Sequence, residues 1–206
     1  MANVDAPFGL KPVGHLMGLD WSASVEKCYV HADYATALFI GDGVIIDTTL
    51  IQKDPTSKYQ TVIAAAAGNA AYIYGVIVGV EPNRDDLSKI YLPVSTGGYV
   101  YVCTDPYVIF HIQDDGAAAS TYVYPGQNAN LILTHAGNTT TGISGTELDT
   151  NSDGPAADAS NQLYIRRLAD LPNNALGAHA VWEVMINLHR LRSTGDGDGS
   201  LGVTSS

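Results

Sequence analysis

Six histidines, His15, His31, His111, His135, His179 and His189, are the side chains of this chain best suited to bind a metal or move a proton near neutral pH. None stands in the His-x-His or His-x-x-x-His spacing that places two imidazoles on one element, so only the fold could gather them, and each alone is expected to be a solvated or interface residue. A serine nucleophile on a strained strand-to-helix turn needs Gly-x-Ser-x-Gly; Gly142-Ile143-Ser144-Gly145-Thr146 carries threonine at the last position. Phosphate-cradling loops are absent too. Gly195-Asp196-Gly197-Asp198-Gly199 has neither the required spacing nor a helix after it, and no Gly-x-x-x-x-Gly-Lys occurs.

The segment Asp149-Thr150-Asn151-Ser152-Asp153-Gly154 begins like a calcium loop, in which alternate oxygen ligands point inward and glycine permits a sharp turn. Asp149, Asn151 and Asp153 would be its ligands. Its twelfth position is Ser160, so the bidentate carboxylate is missing, and Pro155 with the alanines after it does not open a helix. The expectation is a polar turn with no metal and no cofactor. Carboxylates such as Glu81, Asp85, Asp86, Asp114 and Asp115 read as solvated turn residues. Nothing in this inventory selects an enzyme, and a non-enzymatic protein is expected.

The elements that would position these side chains follow from composition and pattern. The 206 residues are 46% hydrophobic, enough to bury a sizeable core. Charged residues make up only 15%, and 21 glycines with 9 prolines favour an all-β chain with many turns. A formal net charge of -11 repels phosphate backbones, so no nucleic-acid partner is expected. The longest apolar stretch, Ala70 to Val80, is about half of the ~20 residues a membrane helix requires, and no membrane partner is expected. The opening residues lack the basic and apolar regions of a secretory signal. Cys28 and Cys103 lie in strand-like segments, where buried free thiols are the expectation.

Strands are predicted for Val25 to His31, Tyr59 to Ala66, Ala71 to Val80, Val108 to Gln113, Leu163 to Leu168 and Ala180 to Leu188. The first of these and Phe39 to Ile46, with its Gly41-Asp42-Gly43 turn signal, are expected to form a small meander. Tyr72, Tyr74, Val76, Val78 and Val80 should share one face, with Gly75 and Gly79 opposite, where a barrel bend is favoured over a close approach. In the Val108 strand, Val108, Phe110 and Ile112 should face inward and His111 and Gln113 outward; in the last strand, Trp182, Val184, Ile186 and Leu188 oppose Glu183, Asn187 and His189. The expected organisation is an extended N-terminal arm over residues 1–24, a single β-sandwich or β-barrel domain over 25–192, and a flexible acidic tail over 193–206. Residues 136–161, rich in Gly, Thr, Asn, Ser and Asp, form a long polar loop with one short strand around Ile143 to Leu148.

Two stretches carry a resemblance: the opening Ala2-Asn3-Val4-Asp5-Ala6-Pro7-Phe8-Gly9-Leu10-Lys11-Pro12-Val13 and the central Thr104-Asp105-Pro106-Tyr107-Val108-Ile109-Phe110-His111-Ile112-Gln113. They resemble small capsid-associated proteins of tailed bacteriophages that begin Asn-x-x-Ala-Pro-Phe-Gly-Phe-x-Pro, carry Gly-Asp-x-Val early and have Asp-Pro-x-x-x-Phe-x-x-Gln in mid-chain. Gly41-Asp42-Gly43-Val44 supplies the second element, and a looser similarity extends to Gln162-Leu163-Tyr164-Ile165 and Val184 to His189. The resemblance implies a capsid cement or decoration protein, made in the host cytoplasm. It would sit on the outer surface of the virion shell, usually as a homotrimer, and brace neighbouring major capsid proteins. The arm would then contact the capsid through Phe8, Leu10 and Pro12. Two other classes stay open at this point: a tail-tube or head-completion protein, and a calcium-dependent glycan-binding module built on Asp149 to Gly154.

Overall fold

The computed structural model describes residues 3–49, 58–68, 72–84, 86–116 and 122–192. The proposed acidic tail, 193–206, lies outside them. Among the described residues twelve strands form in chain order: β1 Lys11–His15, β2 Val25–Val30, β3 Gly43–Ile46, β4 Val62–Ala64, β5 Gly75–Val80, β6 Gly98–Cys103, β7 Val108–Gln113, β8 Asn128–Ala129, β9 Leu131–Ile132, β10 Glu147–Leu148, β11 Leu163–Leu168 and β12 Val181–Ile186. Among the described residues there is no α-helix; the one helical turn is of the 3-10 type, Trp21–Ser24, capped by the Asp20 side chain, which accepts from the Ser22 N–H. Among the described residues no helix is long and apolar enough to cross a membrane.

The protein is an all-β sandwich of two five-stranded antiparallel sheets, ordered β1-β7-β12-β11-β8 and β2-β6-β5-β3-β4, with β9 and β10 as a separate ribbon. Between the sheets lies the main core. Trp182, Phe110, Ile112, Leu163, Ile165, Val184 and Ile186 from the first sheet meet Val76 and Cys103 from the second, and Leu10 joins them. The second sheet is buried on its other face as well, where Cys28, Val30, Val44, Val62, Ile77, Val100 and Val102 pack under Leu38, Leu92 and Tyr34. Apolar residues therefore occupy both faces of its strands, as a doubly covered sheet requires. Cys28 and Cys103 are free and buried on opposite faces of that sheet.

Several sequence-based expectations give way here. No meander forms from β2 and β3: β2 pairs with β6, and β3 with β4 and β5. The intervening residues instead cross the sheet as its cover, with Leu38 fully buried and the Gly41-Asp42-Gly43 turn spent on a junction with the N-terminal segment. The residues from Tyr72 to Val80 do not share one face. Val76 and Val78 face the first sheet while Tyr74 and Val80 join the other cluster; the register shift between Ile77 and Gly79 is what separates Val80 from Val78.

Gly75 marks a close approach. A Cβ there would lie 2.3 Å from the Cys103 carbonyl oxygen and 2.6 Å from Val102 Cγ1, where strand β6 presses on β5. Backbone cannot retreat as a flexible side chain does, so Gly75→Ala is expected to cost about 2 kcal/mol. Gly43→Ala, whose nearest neighbour is Leu131 Cδ1 at 3.4 Å, should change stability far less. Urea unfolding of the two variants side by side checks the contrast; equal stabilities would contradict the steric account.

Candidate functional site

The N-terminal segment is the part of the chain whose placement depends on the most distant residues. Asn3 Nδ2 donates to the carbonyls of Ala175 (2.8 Å) and Ala178 (3.0 Å), and Asn3 Oδ1 accepts from the Ala175 N–H. Gln113 holds the next residues: its Nε2 donates to the Val4 carbonyl at 2.9 Å and its Oε1 accepts from the Ala6 N–H at 2.8 Å. Gln113 is therefore buried, contrary to its expected outward position, because the segment lies over that end of β7 and supplies the backbone partners an amide needs. Farther on, the Leu10 N–H donates to the Gly41 carbonyl at 2.8 Å, and Gly9, at φ +69°, crosses so tightly that a Cβ would stand 2.6 Å from Gly41 O. Residues 11–15 then pair with β7 as an edge strand, with Pro12 at the edge where its missing N–H is tolerated.

The segment read from the sequence as an arm is thus a strap bonded to its own domain. Its three singled-out residues are brought together. Phe8, Leu10 and Pro12 line an open cleft of about 570 Å³ with Trp21, Ile40, Val78, Ile143 and Leu171; Lys11 and His111, cross-strand partners, are its polar side chains. Leu10 is 1% exposed and its side chain belongs to the core, whereas Phe8 and Pro12 stay half-buried on the wall. Burial holds the His111 imidazole below its ordinary range, against the pull of Glu183. Apart from Lys11 and His111 the lining is apolar, and its chemistry suits an apolar side chain or a stretch of extended peptide.

The calcium candidates behave as a self-contained turn. Asp149 is buried, and its Oδ1 accepts from the backbone N–H groups of Asn151 (3.2 Å), Ser152 (2.8 Å) and Asp153 (3.4 Å). Asn151 is exposed, and Asp153 Oδ2 accepts from Asn130 Nδ2. Turn chemistry accounts for the Asp-x-Asn-x-Asp-Gly spacing without an ion. Ser144 lies buried with its hydroxyl donated to the Asp42 carboxylate, and burial raises the thiols of Cys28 to about 12 and Cys103 to about 11.

A second cluster, invisible in the sequence, adjoins the strap. Asp5 on the strap, His135 after β9 and Glu147 in β10 converge: His135 Nδ1 lies 3.0 Å from Glu147 Oε2, and His135 Nε2 lies 3.7 Å from Asp5 Oδ2. Thr134 Oγ1 donates to the same Glu147 oxygen, and His179 Nδ1 stands 3.7 Å from the other Asp5 oxygen. Burial pushes the Glu147 carboxyl above the usual carboxylate range despite His135, and the hydrogen bond to Glu147 raises the His135 imidazole. Two of the six histidines thus meet at one place. Sequence separation hid it, because no two of these residues share an element or a recognisable spacing.

No protein-family model matches the chain, and neither a curated protein nor a solved structure matches it significantly.

Proposed function

We propose that this chain is a structural protein of a tailed-phage virion that binds the outer surface of the head, as a homotrimer, and stabilises contacts between major capsid proteins. The supporting observation is spatial. The two stretches that carry the resemblance and the Gly41 to Val44 motif meet at the strap: Gly9 and Leu10 cross Gly41, and Gln113 holds Val4 and Ala6, while Phe8, Leu10 and Pro12 face one apolar cleft. An apolar side chain or extended segment of the capsid protein would fill that cleft. The turn after β1 adds Leu16, Met17 and Leu19, exposed by half or more, as further contact surface. A net charge of -11 suits an outer surface and opposes packaged DNA. Each contact is weak alone, and a trimer engaging several capsomers multiplies them through effective concentration.

The test mixes purified protein with shells that lack it, after light scattering establishes the oligomer, and images where it lands. Copies at local three-fold positions are the expected result. Phe8→Asp, which puts a charge on the cleft wall without touching the core side of the strap, should raise the concentration for half occupancy at least about tenfold. A monomer that ignores the shell would sink the proposal, and rings at a single vertex would replace it with a tail or head-completion role.

A further inference from the structure

We propose that Asp5, His135 and Glu147 form a binding site for a divalent transition-metal ion of the zinc class, which pins the N-terminal strap to the sandwich. One ligand atom from each of the three lies within 4.8 Å of the others. Zinc bonds to carboxylate oxygen and imidazole nitrogen are about 2.0–2.2 Å long, and since His135 now turns Nδ1 to Glu147 and Nε2 to Asp5, closing this set around an ion takes a rotation of the imidazole that brings one nitrogen to both carboxylates, and a shift of Asp5 towards it. Asp5 and His135 are free to make them, with side chains 43% and 46% exposed.

Glu147 supplies the independent reason to expect a cation. It is fully buried, and while Oε2 is shared by Thr134 and His135, Oε1 has no hydrogen-bond partner. A buried carboxylate with an unmatched oxygen is costly unless a positive charge accompanies it. The surroundings add negative field, since both Asp5 and Asp115 act on Glu147. His179, whose Nδ1 faces the second Asp5 oxygen, is placed to orient that carboxylate, as outer partners of metal ligands do.

Ligand type selects the ion. Calcium and magnesium take shells of oxygen, whereas an imidazole with two carboxylates suits zinc and its neighbours. His135 also lines an open cleft of about 560 Å³ under Leu131 and Leu133, which gives the ion a path from solvent. Because Asp5 belongs to the strap and the other ligands to the β9–β10 ribbon, the ion would tie together parts of the chain more than a hundred residues apart. The proposal is independent of capsid binding.

The full chain, stripped with EDTA and dialysed, is titrated with zinc chloride by calorimetry and followed by thermal unfolding, with calcium and magnesium chloride in parallel. One zinc per chain is expected, together with a rise of several degrees in the unfolding midpoint at saturation and slowed amide exchange at residues 4–8. Asp5→Asn changes an exposed side chain, so its midpoint in EDTA should stay close to that of the unaltered protein, whereas His135→Asn also removes a partner of the buried Glu147 and should lower it; in both, zinc affinity falls at least tenfold. No saturable binding would overturn the proposal. So would variants that bind zinc as tightly as the unaltered protein, or an equal response to calcium.

Discussion

Trp182→Ala is expected to lose about 5 kcal/mol of stability, the largest effect of any single substitution considered. The indole is fully buried between the sheets, beside the Tyr124 ring at 5.6 Å between centroids, and its Nε1 donates to Asp114 Oδ2 at 2.9 Å. Truncation opens a cavity that neighbouring strands, held by their ladders, fill only in part; for tryptophan this costs about 3–5 kcal/mol. It also withdraws a charge-assisted donor from a fully buried carboxylate, a loss of about 1.5–3 kcal/mol when taken alone. The two terms overlap and do not add fully. Since native domains are stable by only about 5–15 kcal/mol, the variant should be partly unfolded at 37 °C. Trp182→Phe keeps most of the volume and loses the donor, so it should fall near 2–3 kcal/mol, within the range for hydrogen bonds to charged groups. Urea titration at neutral pH checks both, and a loss below about 2 kcal/mol for the alanine variant would contradict this account of the core.

Acidification should destabilise the protein through His189. This imidazole is fully buried and its pKa is lowered to about 4 by burial first, then by the nearby Arg192 charge. Geometry supports the neutral form: the Leu191 N–H donates to Nδ1 at 3.1 Å, so a proton on Nδ1 would meet another N–H. A histidine that titrates lower when folded takes up its proton first in the unfolded chain. Its contribution is therefore complete above the ordinary value of 6.5 and is lost as the pH falls from 6.5 towards 4, to a total of about 3 kcal/mol. Asp42 acts in the opposite sense, because burial raises its carboxyl. His189→Gln, which keeps an acceptor for Leu191 but cannot titrate, isolates the histidine term. The difference in unfolding free energy between the protein and this variant should shift by about 3 kcal/mol between pH 7 and pH 4. A pH-independent difference would remove His189 from the account. Local failure should begin where Ile73 exchanges hydrogen bonds with Leu188 and Arg190, the segment His189 anchors.

Strands with one face in the core and one towards polar surroundings were legible residue by residue. β7 and β11 occupy the predicted spans, and β12 sits inside its own. What escaped has identifiable causes. β1 contains proline and glycine, which argue against a strand until an edge position excuses them; β8 and β9 are two residues long, too short for any period to register, while β10 falls within the short strand expected around Ile143 to Leu148. Pairing partners were illegible because they are remote, as with β2 and β6. Alternation assigns a face but not what lies over it. Gln113 obeyed its strand and was still buried, since a segment from the far end of the chain covers it. The cleft residues Phe8, Leu10 and Pro12 could be singled out because apolar residues in a nonperiodic stretch must find a surface. Asp5, His135 and Glu147 could not, for each is ordinary in its own neighbourhood.

The strap also sets an order of events during synthesis. Lys11 pairs with His111, and Asn3 with Ala175, so the strap is made well before the residues it pairs with. At about 5–20 residues per second, β1 waits several seconds for β7, and the strap waits longer still for its anchor near the C-terminal strands. Throughout that interval Phe8, Leu10, Leu16, Met17 and Leu19 stand uncovered on a nascent chain. The sandwich therefore closes in one late step, once β11 and β12 are available to the sheet that holds β1 and β7.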